Sequence, residues 1–426
     1  MAIEREHMNE QEQKAFEIVE KNEAALLDRY KTVIGVDTSV PPADTYEELL
    51  DKVEPEFKRL GFETERVVIP ESEYAHIPLP LKGPRTNLVA TRSHGKEPVT
   101  IYAHMDIVPV EEKWTENPFG AGVKDGKIYG RGTADMKGSI ASILTAVEAM
   151  DEAGIEPNYD LIVCLCTDEE IGGYPGIWHL AKHGYVKGHM LCMEGSQEPM
   201  TWLGSAGSVD VTITVTGESC HSGMNFLGIN AIDAMIPVLN ELYPLKLEVE
   251  QRESDLWGMP HPKARSEKMT PMFNFAIING GVKSNIVPAT ATLLINRRYI
   301  PEETYEQVTG EIQAAVDKAK EKSPAKSINV DFYNVYPPMR LDPEGPRMKK
   351  MREAVQLVQG YTDDEWKSFA VAGSTDMANV QQELGWTDIP FRGPGRMDSR
   401  AHGADEFVYV EDAKAHVKEL IHYLAF

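Results

Sequence analysis

The run Val99–Gly138, VTIYAHMDIVPVEEKWTENPFGAGVKDGKIYGRGTADMKG, decides the reading of this chain. Val99, Ile101 and Ala103 alternate with their neighbours as in a buried strand, and that strand ends at His104. The chain then turns irregular through Pro109, Trp114, Pro118 and Phe119 and reaches Asp135 just before a helix expected from Lys137. A histidine at a strand end and an aspartate ahead of a helix project from rigid backbone into an open crevice, where both make good metal ligands. Taken alone, Asp135 fits a helix N-cap equally well. The three glycines around it allow the backbone to approach a site closely. Asp106 lies two residues beyond His104, on the same side of an extended chain. It can reach the second imidazole nitrogen, the usual way of fixing the tautomer of a metal-bound histidine.

Outward from this run, helices are expected up to Tyr30 and over Thr45–Leu60, followed by strands in GFETERVVI and TNLVATR. Downstream come a helix from Lys137 to Ala153 stopped by Gly154, the strand YDLIVCLCTD, the helix GIWHLAKHG and the strand HMLCME. Alternating strands and helices predict an α/β fold with a mostly parallel, helix-covered sheet. After Gly204 the style changes. SVDVTITVTG alternates strictly, as a half-exposed antiparallel strand with an open edge. A helix in GINAIDAMIPVLNEL, a polar loop from Tyr243 to Met272, strands in MFNFAIING and ATATLLINRR, and an amphipathic helix from Pro301 follow. This predicts a smaller α+β domain inserted over 205–324 between two parts of a larger one, 1–204 and 325–426, with SPAKS as the return linker.

A chain of 426 residues exceeds one ordinary core, which agrees with two domains. Its net charge of -24 argues against nucleic acid or an anionic membrane as partner. No apolar run approaches the roughly 18 residues of a spanning helix, and the charged N-terminus lacks a signal-peptide core. A cytoplasmic protein is expected. Cys164, Cys166, Cys192 and Cys220 are the only cysteines. The C-x-C pair can bind metal or pack in a core, no second pair stands at zinc-finger spacing, and no disulfide is indicated.

The remaining signals are strand ends and one loop. TDEEIGG (Thr167–Gly173) follows a buried strand, at the end where open α/β sheets bind ligands. Adjacent side chains diverge there, so Glu170 can bind metal while Glu169 faces the reacting water as general base. Glu194 ends the strand in HMLCMEGS, and His402 lies in RAHGADEF after the loop FRGPGRMDSR. Each is commonplace alone. Together, His104, Asp135, Glu170, Glu194 and His402 form an oxygen and nitrogen donor set suited to zinc, cobalt or manganese. One bridging carboxylate with two ligands per ion leaves a shared open position for water.

With these motifs in this order, AHMD, DGKIYGRGTADMKG, TDEEIGG, Glu194 and AHGADEFV, the chain resembles the co-catalytic metallopeptidases and deacylases. That family includes acetylornithine deacetylases, succinyl-diaminopimelate desuccinylases, aminoacylases and glutamate carboxypeptidases. The resemblance implies two divalent ions per subunit, zinc first, with manganese or cobalt as alternatives. His104 and Glu194 would hold one ion and Glu170 and His402 the other, with Asp135 bridging them across roughly 3.5–4 Å. Asp106 would steer His104, and Glu169 would move a proton from the water between the metals to the leaving amine. The insert corresponds to the family's lid and dimerisation domain. Its GESCHSGMNFLGINA nominates His221 as oxyanion donor, entering the partner's site in a homodimer or higher homo-oligomer. GGVKSNIVP and INRRYIP nominate Asn285 and Arg298 for a substrate carboxylate, and GPG nominates Gly393 and Gly395 as backbone facing the substrate.

Three departures fall near substrate recognition: Asn296 where relatives carry aspartate, no proline after the lid histidine and serine, and the loop LWGMPHPKARSEKM. The expected function is metal-dependent hydrolysis of an amide bond in a small carboxylate-bearing N-acyl amino acid or dipeptide. An alternative is an aminohydrolase displacing the amine of an aminobenzoate such as nitroanthranilate, suggested by Trp257, Phe273 and Phe275. A second alternative is a non-catalytic metal-binding relative.

Overall fold

The computed structural model describes residues 8–77, 79–172 and 175–426; the first seven residues of the expected N-terminal helix and Gly173 of TDEEIGG lie outside them. The chain divides into two compact units, Met1–Trp202 with Leu341–Ser368 and Asn379–Phe426, and Leu203–Arg340 with Phe369–Ala378.

In the larger unit the expected first helix is two, α1 (Glu10–Lys21) and α2 (Glu23–Ile34). Asn22 leaves helical geometry between them at φ -98° and ψ 22°. Helix α3 (Tyr46–Arg59) buries Tyr46, Leu49, Leu50, Val53 and Phe57, the three-and-four spacing of an amphipathic helix. Strands β1 (Glu63–Val68), β2 (Thr86–Arg92), β3 (Pro98–His104), β4 (Asp160–Cys166) and β5 (His189–Cys192) form a sheet in the order β1-β2-β4-β3-β5. The half that carries the site is parallel, β4 with β3 and β3 with β5, but β1, β2 and β4 pair antiparallel. The sheet is therefore mixed rather than mostly parallel. Only five residues separate β2 from β3, too few for a parallel crossover, which needs a dozen or more.

Helix α4 (Gly138–Ala153) makes the crossover between β3 and β4, and nearly all of it is buried. Its Ile140, Ile143, Leu144 and Val147 each contribute about 1.5–3 kcal/mol of burial. The short helix α5 (Gly176–Lys182) joins β4 to β5, and α8 (Pro346–Gln359) and α9 (Val410–Ala425) complete the cover. The result is a packed layer that fixes the C-terminal ends of β3, β4 and β5 side by side. All four cysteines carry free thiols, and those in β4 and β5 are buried.

The smaller unit holds β6 (Gly207–Thr216), β7 (Met272–Gly280), β8 (Thr290–Tyr299) and β9 (Ser327–Tyr336), all antiparallel, in the order β7-β8-β6-β9. Helices α6 (Ala231–Val249) and α7 (Tyr305–Lys320) cover one face, packing Val238, Leu242, Val308 and Ile312 against Val209, Val211, Ile213 and Val215. Two expectations change here. SVDVTITVTG is no open edge: β6 is flanked by β8 and β9, and its alternation reflects a sheet covered on one face only. The insert also does not return after SPAKS. That segment leads into β9, where Ser327 pairs with Thr216, so the unit runs on to Arg340 and takes in 369–378.

Candidate metal centre

Parallel register sets the stage. His104 pairs with Cys166 across β3 and β4, and Tyr102 pairs with Cys192 across β3 and β5. The amide of Met193 donates to the Tyr102 carbonyl at 3.0 Å, so continuing the register brings half-buried Glu194 level with His104. Past β4 the chain turns at Asp168, whose φ of 67° is unusual for a residue with a side chain. Tyr46 donates to Asp168 Oδ1 at 3.0 Å, and the fully buried Arg85 stands 3.5 Å away. Burial pushes the Asp168 carboxyl up to about 6. This anchored turn leads directly into Glu169–Ile171, which carries Glu169 and Glu170.

Four of the nominated ligands meet. His104 Nε2 lies 3.2 Å from Asp135 Oδ1, and His402 Nε2 lies 3.1 Å from Asp135 Oδ2 and 3.0 Å from Glu170 Oε2. His104 is fully buried, whereas His402 is exposed. Asp135 does not cap α4, whose N-cap is Lys137; its two oxygens are turned to the two histidines instead. His104 Nδ1 is 3.1 Å from the Asp106 carbonyl and 3.6 Å from its carboxylate. Asp106 thus orients the ring first through its main chain, while its Oδ2 accepts from the Glu170 amide at 2.8 Å.

Electrostatics identify what this cluster is built for. Burial opposes a charged His104, yet its hydrogen bond to Asp135 and the nearby Asp106 and Glu169 carboxylates lift its pKa well above the ordinary value. Burial and the charge of Asp135 push Glu170 up to about 7. Hydrogen bonds to Asp135 and Glu170 raise His402 to about 10. The upward shifts of both histidines come from the carboxylates around them, a concentration of negative charge that a cation would neutralise. Glu170 Oε1 and Asp106 Oδ1 are buried without a hydrogen-bond partner among the described residues, and a buried carboxylate oxygen left so is costly. His104, Asp135 and Glu170 each offer a ligand atom within 4.8 Å of the others. The residues present fit divalent metal.

Two supports escaped the sequence reading. Glu406 is fully buried, and its Oε1 accepts from the amides of Gly132, Ala134 and Asp135 at 3.1, 2.9 and 3.1 Å. Its Oε2 pairs with Arg131 at 2.6 Å. Gly132, at φ 86°, lets the loop curl around this carboxylate. Glu406 was visible within AHGADEFV, but its three partners are main-chain amides and leave no mark in sequence. The second support is the buried pair Arg392–Glu419 at 2.6 Å, joined by Gln197, whose side chain donates to the Gly393 carbonyl at 2.9 Å. It holds the GPG loop so that a Cβ on Gly393 would fall 2.7 Å from the backbone of Gly195, next to Glu194. Gly395 accepts from the Gln197 amide at 2.7 Å and packs on Ala134, next to Asp135.

The remaining nominees belong to the smaller unit. His221 is exposed and caps the turn Ser222–Leu227, its Nδ1 accepting from the Gly223 amide at 3.1 Å. The Asn285 carbonyl accepts from the Ser222 amide at 3.1 Å, so the segments that carry the two nominees are bridged through the backbone. In the arginine pair, Arg297 is buried against Glu303 at 2.6 Å. Arg298 donates to Asn296 at 3.2 Å and Ser374 at 2.8 Å. Asn296 in turn donates to Asp210 at 2.7 Å, where an aspartate would set two carboxylates together. Phe273 is core and stacks edge-on with Phe275, and Trp257 lies under the Lys268 ammonium at 3.9 Å. Phe273 and Phe275 thus pack the unit, whereas Trp257 is half exposed.

An α/β sheet whose strand ends gather two imidazoles with acidic side chains defines a metal-binding hydrolase. The chain belongs to peptidase family M20/M25/M40, whose family model matches residues 100–425. It is 27% identical over 342 residues to a probable succinyl-diaminopimelate desuccinylase of Staphylococcus epidermidis, covering 76% of this chain and 82% of that protein. It is 25% identical over 433 residues to the N-formyl-4-amino-5-aminomethyl-2-methylpyrimidine deformylase of Bacillus subtilis, covering 95% of both. Its fold is similar to that of a dipeptidase from Saccharomyces cerevisiae, with a TM-score of 0.76, 17% identity and 98% coverage of both chains. The protein is an enzyme, a metallohydrolase acting on C–N bonds, rather than a non-catalytic relative. Among the described residues no helix is long and apolar enough to cross a membrane.

Proposed function

We propose that this enzyme cleaves the amide bond of a small carboxylate-bearing N-acyl amino acid or dipeptide, with two divalent ions, zinc in the first place, held by its strand-end cluster. The observation that carries the reading is Asp135, with Oδ1 turned to His104 and Oδ2 to His402, which suits a carboxylate shared by two ions. His104 and Glu194 would hold one ion, and Glu170 and His402 the other. When bound, the ions polarise the scissile carbonyl and lower the pKa of water. Glu169 accepts the proton of the attacking water and returns it to the leaving amine. Asp106 and Glu406 keep His104 and Asp135 in place.

His221 donates a hydrogen bond to the developing oxyanion, in a homodimer from the opposite subunit. Asn285 and Arg298 bind the substrate carboxylate, and the backbone of Gly393 and Gly395 faces the substrate. Arg298 suits this task because its half-buried guanidinium is held by hydrogen bonds to Asn296 and Ser374, whereas Arg297 is committed to Glu303. A bidentate carboxylate matches such a site. The relatives named for removing succinyl or formyl groups or splitting dipeptides agree with an amide as the bond cleaved.

The test is a zinc-reloaded assay on N-acetyl, N-succinyl and dipeptide amides beside aminobenzoates, following amine and ammonia separately. Amine release from an amide is expected. For Glu169→Gln, turnover should fall roughly 100- to 10,000-fold with metal content unchanged. Ammonia from an aminobenzoate, or full turnover by that variant, would overturn the reading.

A further inference from the structure

The loop that contains LWGMPHPKARSEKM has no part in the proposed reaction, yet it is built rather than slack. Loops of this length that lack a helix or strand of their own are as a rule functional or disordered. This one, between α6 and β7, is ordered as a hairpin. Trp257 pairs with Lys268, the Gly258 amide donates to the Glu267 carbonyl at 2.9 Å, and the Met269 amide donates to the Leu256 carbonyl at 3.0 Å. The Ala264 amide turns the tip by donating to the His261 carbonyl at 2.9 Å. The Ala370 amide donates to the Trp257 carbonyl at 2.7 Å and pins the hairpin to the second segment of the smaller unit.

The hairpin, the end of α6 and the start of β7 enclose a cavity of about 450 Å³, inside the range of about 300–1,000 Å³ common for small-molecule sites. Lys246, Lys263, Arg265 and Lys268 line it against a single carboxylate, Glu250, in a chain whose net charge is -24. Glu250 is buried and already shared, Oε1 by Lys246 and Oε2 by Arg265 at 2.9 Å. Lys246 also donates to the Phe273 carbonyl at 2.6 Å, and Arg265 to the Glu250 carbonyl at 3.3 Å. The surplus positive charge of the wall therefore rests on Lys263 and Lys268. Lys268 is held in direction, 3.9 Å above the Trp257 ring and donating to the Asp255 carbonyl at 2.8 Å. Basic residues on an ordinary solvated face have no reason to converge, but three from one hairpin and one from α6 line the same cavity here. Much of the remaining lining is apolar: Met259 and Met272 are exposed and Phe273 is buried. Surplus cations disfavour a cationic occupant, and unbranched methionines adapt to an apolar one.

We propose that this cavity binds a small organic anion, a carboxylate on an aliphatic body, with the carboxylate held by Lys263 and Lys268 and the chain resting on Met259 and Met272. None of these residues belongs to the metal centre or to the groups assigned to the substrate carboxylate, so the site is an additional one. Its occupant ties the tip of the hairpin to the end of α6.

Isothermal titration of the full-length protein with octanoate tests this. One saturable site is expected. Lys263→Glu combined with Lys268→Glu reverses the surplus charge without altering the core and should raise the Kd about tenfold or more. The single Lys263→Gln, at an exposed position, should raise it less and in the same direction. Arg298→Met, altered only at the proposed substrate carboxylate site, should leave it unchanged. Absence of saturable binding, or an equal Kd in the doubly reversed variant, would overturn the site. A Kd raised by Arg298→Met alone would place the anion with the substrate and overturn it equally. Inorganic phosphate binding as tightly as octanoate would overturn the aliphatic part of the assignment.

Discussion

At the scale of single residues, the difference between donors and their supports governs what can be read. His104, Asp135, Glu170 and His402 are chemically loud: each can be picked from sequence because metal chemistry needs those side chains at element ends. Glu406 is not, because its work is done on amides that every residue carries. The same holds for Asp168, whose left-handed backbone is held by Tyr46 and Arg85 from distant parts of the chain. Glu406→Gln keeps an acceptor for the three amides but deprives the buried Arg131 of its counter-charge, which loosens the loop carrying Asp135. Metal affinity should fall about 10- to 100-fold, as for other supports of metal ligands. Competition with a chromophoric chelator reads this directly. Unchanged affinity would show that Glu406 serves folding alone.

At the scale of elements, periodicity revealed type and missed neighbourhood. PVTIYAH and LIVCLC declared buried strands, and both are. SVDVTITVTG shows why alternation stops there. It records that one face of β6 is covered, and it is silent on whether the strand's two edges are hydrogen-bonded. β5 adds a case in which an element's interior carries a titratable group. His189 lies edge-on to Tyr159 at 5.0 Å, with neither ring nitrogen hydrogen-bonded among the described residues. Burial, with Arg347 and Lys350 nearby, holds its pKa down to about 3, and burial holds His416 in α9 at about 4. In the unfolded chain both titrate near 6.5. Below that pH the unfolded state takes up protons that the folded state refuses, so this contribution is complete above about 6.5 and is lost as pH falls toward about 3 to 4. His189→Phe removes one such group from an aromatic setting. Urea unfolding should therefore show the variant gaining on the wild type as pH drops from about 7 to about 4. A constant difference across that range would mean that His189 does not carry the effect.

At the scale of the whole molecule, the chain's family and two-unit plan were legible because five motifs keep their order, while its assembly must be argued from a surface. In the smaller unit β7 and β9 are the two edge strands, and on β7 the exposed Ile277 and Ile278 continue to Val282, which is 93% exposed. Beside it, α6 exposes Ile232, Ile236, Tyr243 and Leu247, which fall on one stripe at helical spacing. The two patches are continuous, since a Cβ on Gly280 at the end of β7 would meet Ile232 at 2.8 Å. An unpaired strand edge bordered by apolar helix is a template for a second copy, and an isolated protein would pay a solubility cost to leave it bare. Pairing β7 with its symmetry mate would satisfy the edge and cover the stripe in one isologous contact. Ile278→Lys places a charge in that contact without touching the core of the unit. Sedimentation should show a homodimer for the wild type and a monomer for the variant. If His221 acts across the dimer, activity should fall with it, and an inactive His221→Ala mixed with an inactive Glu169→Gln should recover part of the activity through hybrid dimers. A wild-type monomer with full turnover would remove both the dimer and the role of His221 in the opposite site, while leaving the metal ligands and Glu169 as they stand.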